Sequence, residues 1–187
     1  MRIRKNILWI TRTAVLTALL VTVQFVTAPL GNQFVTGTAG NFIMILSLLI
    51  CGPATGITVA VLSPVFASLA GIGPAFPPLI PFIALGNVVF ITAWFLLGLL
   101  NKKAGTGIRR RITGFLTAAA AACIKFLTLY TGIVKIAVPF ILDLNERQSA
   151  VLSLAFSYPQ IITATIGGVA ALVVISPLQK ALNSRSR

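Results

Sequence analysis

Asn101–Arg111 reads NKKAGTGIRRR, and five of the chain's fifteen Lys and Arg residues lie within it. On either side the sequence is almost uniformly apolar over lengths that match a bilayer. In a water-soluble protein this stretch would be an ordinary solvated loop. Between two membrane-length apolar blocks it is a topological anchor, because short loops rich in Lys and Arg stay on the cytoplasmic side. It divides the 187 residues into two near-equal halves and sets which way up both lie.

Composition agrees with that reading. The chain is 57% hydrophobic and 9% charged, where soluble domains carry about 25% charged residues. A soluble fold so poor in charge could not cover its own surface, so the solvent expected is a bilayer. The apolar–polar alternation of a membrane β-barrel is absent. The fold class expected is an all-α integral membrane protein, a single bundle of six transmembrane helices with both termini cytoplasmic. The formal net charge of +13 raises the question of nucleic acid. However, Arg2, Arg4, Lys5, Arg12, Lys102, Lys103, Arg109, Arg110, Arg111, Lys180, Arg185 and Arg187 all fall at segment ends. That is positive-inside anchoring, with contact to anionic lipid as a second reading and no nucleic acid implied.

Working outward from the basic loop, the spans expected are approximately 7–27, 37–51, 54–70, 79–100, 112–142 and 149–178, within one membrane domain. The first is basic and then apolar, like a signal peptide, but it is too long for one and reads as a retained helix. The second is short unless residues 35–39 join it. The third carries Pro64, expected to kink it. The fifth exceeds one crossing; it tilts, breaks near Gly132 or Pro139, or projects beyond the membrane. Residues 143–148 (DLNERQ) read as an outer loop holding both acids of the chain, Asp143 and Glu146. Cys51 and Cys123, in apolar surroundings without a CxxC pattern, read as packing residues.

Little catalytic chemistry can be assembled from these residues. The chain has no histidine, and its two carboxylates share one loop without a base or ligand set around them. The GIGPAF stretch lacks the GK[ST] ending of a phosphate loop. The expectation is therefore no enzyme, no metal and no cofactor. Coupling to protons or sodium is also unsupported, since no Asp, Glu or His falls within a span.

The polar residues inside the spans carry the remaining information. Lys125 lies ~20 Å from the inner edge of segment five, counted at 1.5 Å per residue. Asn87, Gln160 and Gln24 also fall in the outer half, on segments four, six and one. Four polar side chains from four helices would outline a solute cavity open to the outside. A cation in hydrocarbon costs at least ~2.5–3.5 kcal/mol at mid-span, and the spans offer Lys125 no carboxylate. Either a ligand's anionic or carbonyl group partners it, or backbone carbonyls do, or it snorkels. Lys135, nearer the edge, reads as snorkelling. Asn87, Gln24 and Gln160 fit helix–helix hydrogen bonding as well as a site. Tyr130 and Tyr158 fit either the interfacial belt or a site wall. Ala14 and Ala18, four apart with Thr11 and Thr22 extending the stripe, let another helix approach closely, whether inside this protein or from a partner.

Taken together, the chain resembles the substrate-binding membrane subunits (S components) of energy-coupling factor transporters. The residues that carry the likeness are the basic N-terminus with its AxxxA motif at Ala14–Ala18, residues 41–67 (NFIMILSLLICGPATGITVAVLSPVFA) and residues 71–87 (GIGPAFPPLIPFIALGN). The pantothenate, hydroxymethylpyrimidine and unassigned S components are the nearest in appearance. The resemblance implies a bacterial plasma-membrane protein that captures a vitamin or precursor outside, with pantothenate a fit for the lysine. Its partners would be a coupling membrane subunit, docked at Ala14 and Ala18, and two cytoplasmic ATPases that hydrolyse the ATP. Asn32 and Gln33 of the first outer loop would cover the site, and Lys125, Asn87, Gln160, Asn41 and Tyr130 would supply it. The alternatives are a non-transporting membrane scaffold and a self-contained small-solute facilitator.

Overall fold

The computed structural model describes residues 2–101 and 107–184, and every regular element among them is helical. Lys102, Lys103, Arg185 and Arg187, assigned above to cytoplasmic anchoring, lie outside the described residues. The helices are α1 (Arg2–Thr27), α2 (Gln33–Cys51), α3 (Pro53–Leu69), α4 (Ile80–Asn101) and α5 (Ile108–Leu129). A π-helical stretch, Tyr130–Ala137, and a last turn, α6 (Val138–Phe140), prolong α5 without a gap. Two more helices follow, α7 (Glu146–Ala155) and α8 (Pro159–Ser184).

Local chemistry sets these boundaries. Gly31 (φ 61°) takes the left-handed turn that ends the short 3-10 extension of α1, and the Asn32 side chain then accepts from the Phe34 N–H to start α2. Segment two therefore begins at Gln33, and residues 35–39 do join it. Gly52 (φ 91°), followed by Pro53 at the first helical position, gives the tight turn between α2 and α3. Pro64 stands inside α3, buried. Segment five does not break at Gly132, which lies inside the π-helical stretch, and it ends at Phe140, one residue past Pro139.

Segment six differs from expectation. Glu146, Arg147 and Gln148 are not loop but the first turn of α7, because Asn145 and Gln148 form a reciprocal capping box. The span is then interrupted at residues 156–158, ahead of Pro159, which cannot donate to the preceding turn. What was read as one helix over 149–178 is two. Cys123 is also not a packing residue: it is exposed, whereas Cys51 is half-buried.

Among the described residues five helical stretches are long and apolar enough to cross a membrane, the last of them comprising α7 and α8 together, and α3 is a shorter apolar helix. At 1.5 Å per residue it measures about 25 Å, near the lower limit for a span. The exterior is correspondingly apolar: Leu69, Phe140 and Val173 are 78%, 83% and 68% exposed. No water-soluble chain leaves so much hydrocarbon uncovered. The architecture is an α-helical membrane bundle, multi-pass.

Within it, α2, α8, α5, α4 and α3 pack successively against one another and close through the α3–α2 pair, while α1 lies outside against α2 and α3. In lipid this association is driven by close van der Waals contact, which small residues permit. The α2–α8 crossing depends on Gly37 and Gly167: a β-carbon at Gly167 would fall 2.8 Å from the Thr38 carbonyl oxygen and 2.9 Å from the Phe42 nitrogen. Gly168 makes room for the Trp94 ring. Two apolar clusters result. The larger is built on Leu20, Ile45, Val59, Phe90, Trp94, Ala118, Ala122 and Ala164. The smaller, Leu79, Leu129, Ile133 and Ala137 with Phe82 and Leu152 against them, closes the end opposite the N-terminus.

These contacts predict that Gly167→Ala lowers stability by about 1–3 kcal/mol, the usual cost of overpacking. Gly98, with open space around its Cα, should accept alanine with a gain of about 0.4–1 kcal/mol. Unfolding of the two purified variants in detergent would compare them; equal effects would remove the α2–α8 crossing as the critical contact.

Candidate functional site

Between the two apolar clusters lies a layer of buried polar side chains, one from each of four helices. Asn41 (2% exposed) comes from α2, Asn87 (5%) from α4, Lys125 (4%) from α5 and Thr163 (2%) from α8. The helical period places them there. On α5, Ala121 and Ala122 join the large cluster, Leu129 joins the small one, and Lys125 stands between on the same face, one turn before Leu129. On α4, Asn87 stands between Ile83, packed on the small cluster, and Phe90 in the large one.

A directional chain of hydrogen bonds runs through the layer. The Lys125 Nζ donates to Asn41 Oδ1 at 2.6 Å. The Asn41 amide donates to Thr163 Oγ1 at 3.4 Å, and Thr163 donates to the Gln160 carbonyl at 3.3 Å. Each donor polarises the next in the same direction, which strengthens such chains in a low-dielectric interior. The ammonium also sits 5.0 Å from the centre of the Phe90 ring, a cation–π contact. Lys125 is thus neither snorkelling nor bonded to backbone. Its hydrogen-bond partner is a neutral amide, and among the described residues no salt bridge to it is formed. Asn87 has no hydrogen-bond partner among the described residues.

The other candidates divide. Gln33 and Gln160 do not point to Lys125: both donate to the carbonyl of Ala155, at 2.7 and 3.1 Å, where α7 ends. They tie the start of α2 and the start of α8 to the same interrupted helix terminus, satisfying a carbonyl that the break leaves without its helical partner. Asn32 is an N-cap. Tyr130, half-buried, packs on Phe126 with ring centres 5.5 Å apart, and the exposed Lys135 places Nζ 5.6 Å from the Tyr130 ring. Gln24 lies against α2 at Gly40, and its buried Oε1 has no partner among the described residues. Tyr158 is exposed. Thr163 in the layer and Phe90 beside it are residues that the sequence reading did not single out. Each is three residues beyond a polar residue that it did, Gln160 and Asn87, so helical spacing was the available signal.

Ala14 and Ala18 are exposed. They line a groove of about 780 Å³ between α1 and α3, whose other walls include Trp9, Val21, Leu62 and Phe66. Thr13 and Thr17 border the same groove with buried hydroxyls lacking partners among the described residues. A second groove of about 510 Å³ runs between α2 and α8, from Phe34 to Val174, and is apolar apart from Thr38. Neither groove is lined by Lys125, Asn41 or Asn87. Among the described residues no three of His, Cys, Asp and Glu come together as a metal site would require.

Compared with protein-family models, with curated proteins and with solved structures, the chain gives no match.

Removing the Asn41 acceptor leaves a buried ammonium without its hydrogen bond. Asn41→Ala should therefore cost about 1.5–3 kcal/mol, the range for bonds to charged groups. Combining it with Lys125→Met should recover most of that loss, because the charge needing the acceptor is gone. Equilibrium unfolding of the two single variants and the double variant checks the coupling; additive losses would mean the 2.6 Å contact contributes nothing.

Proposed function

We propose that the chain is the solute-binding membrane subunit of an importer of the energy-coupling factor type. It captures a small organic solute, a vitamin or vitamin precursor, from outside the bacterial plasma membrane at the polar layer of α2, α4, α5 and α8. The observation that carries this reading is the layer itself: an ammonium, two carboxamides and a hydroxyl, all buried inside an apolar bundle. Buried polar groups in a membrane interior are costly and are retained where they bind or conduct something. Elsewhere in the interior the buried polar side chains are small hydroxyls such as Ser47, Thr55, Ser63 and Thr117; the carboxamides and the ammonium are confined to this layer.

In this reading the N- and C-termini and the basic loop face the cytoplasm, as the Lys and Arg distribution favours. The chain brings no group of its own for nucleotide hydrolysis, and two cytoplasmic ATPases with a coupling membrane subunit supply the energy. The groove at Ala14 and Ala18 is the surface offered to the coupling subunit. Its support is that α1 lies outside the ring of the other long helices, held chiefly by α2 and α3, so its small-residue face is open to a neighbour in the bilayer. Alternating access would then come from movement of the whole bundle against that partner.

Two outcomes are expected. Ala14→Trp and Ala18→Trp should bind solute as the unmodified protein does, measured by calorimetry, while uptake into cells falls to background; normal uptake by both variants would defeat the docking surface. For orientation, a single cysteine placed at Asn145 in a Cys51→Ser/Cys123→Ser background should react with an impermeant maleimide on intact cells, and one at Gly107 should react only after permeabilisation. The reverse pattern would invert the topology.

A further inference from the structure

Resting on the proposal that the polar layer is the solute site, we infer that the solute is a monocarboxylic acid, its carboxylate held by the Lys125 ammonium and the Asn87 carboxamide. An ammonium has three N–H donors. One is used by Asn41 Oδ1 and the Phe90 ring covers another side, which leaves donor capacity facing the layer. Asn87, 5% exposed, brings an amide with two further donors and no hydrogen-bond partner among the described residues. It stands one turn before Phe90 on the same face of α4, and the ring of Phe90 lies 5.0 Å from the ammonium. An ammonium and an amide at one level can each serve one oxygen of a carboxylate.

The charge balance selects the class. No acid is present on α2, α4, α5 or α8, the helices that enclose Lys125. A single buried positive charge is completed by a single negative one, and breaking that balance in either direction is unfavourable at low dielectric. A dianionic phosphate would leave a charge unmatched, and the layer offers no arginine to take it. A cationic solute would meet an ammonium with no counter-charge. The remaining groups, Asn41, Thr163 and the Phe90 face, are neutral and suit an uncharged polar or aromatic body. Asn41 has a separate role: by holding the ammonium when no solute is bound, it fixes where the carboxylate must arrive.

The test uses the whole protein in detergent and pairs each acid with a counterpart that lacks the charge. Pantothenate is set against panthenol, nicotinate against nicotinamide, and biotin against its amide, with thiamine as the cation. At least one acid should raise the melting temperature, and its neutral counterpart should bind at least tenfold more weakly by calorimetry. Lys125→Met should lose that acid at least tenfold without a lower melting temperature in the absence of solute. Asn87→Asp is the decisive variant, since it supplies the anion from within: it should fold at least as stably as the parent and no longer respond to the acid. A neutral counterpart or thiamine binding as tightly as the acid, or Asn87→Asp retaining full acid affinity, overturns the carboxylate assignment while leaving the import reading standing. No response to any acid also overturns it. Failure of the import reading has a different signature: no solute of any charge is retained in native mass spectrometry, and no ATPase pair co-purifies.

Discussion

The 2.6 Å contact between the Lys125 ammonium and Asn41 Oδ1 is the constraint on which the rest of the arrangement depends. An ammonium in the middle of an apolar bundle admits few solutions. It must find acceptors, and here its hydrogen-bonding acceptor is an amide on α2 that is itself held by a hydroxyl on α8. Three helices are thereby fixed in rotation and height about one point. Rotating α5 by one residue, about 100°, would carry the charge out of the layer towards lipid. The polar layer is therefore a register device as well as a candidate site, and the two roles do not compete: a rigid frame is what a binding group needs in order to be placed before its ligand arrives.

The frame is supported from both sides by contacts that require small residues. Below the layer, Gly168 and the alanines of α5 let Trp94 and α8 come close. Above it, Gly86 receives Leu129 and Gly132 receives Phe82, bringing the start of α4 against the π-helical stretch. That upper seal is also where α7 rests, through Leu152, and where Gln33 and Gln160 converge on the Ala155 carbonyl. The polar layer is thus enclosed by a large packed cluster on one side and a small one on the other. The smaller is built from the extension of α5, the short α7 and the segment before α4.

The membrane bundle was legible in the sequence because hydropathy and the placement of Lys and Arg are one-dimensional properties. Lys125, Asn87 and Asn41 were legible as candidates for the same reason: a charge or amide inside an apolar run stands out whatever the fold. What could not be read is which of the amides share a level. Gln33 and Gln160 look as eligible as Asn41 by position, yet they cap a helix end that exists only because residues 156–158 interrupt the last span. That interruption was hidden because residues 149–178 are apolar on average and hydropathy does not register a broken hydrogen-bond ladder. Thr163 was missed because threonine is common in membrane helices and its hydroxyl usually bonds its own backbone. The π-helical stretch had no sequence signature beyond the excess length of segment five.

Order of synthesis gives the polar layer a further meaning. Asn41 on α2 leaves the ribosome before Lys125 on α5, and Thr163 on α8 follows both. Until those helices follow, α2 must therefore cross the bilayer without the Lys125 and Thr163 partners of its amide. When α5 enters, it brings a charge whose acceptor was made more than eighty residues earlier. Only with α8 is the amide itself secured. The neighbours already present, α1 and α3, hold α2 in place meanwhile, and the turn at Gly52–Pro53 keeps α3 beside it. A nascent chain halted before residue 159 would hold the ammonium and Asn41 but lack the helix that closes the ring, so the bundle is closed only when α8 joins it.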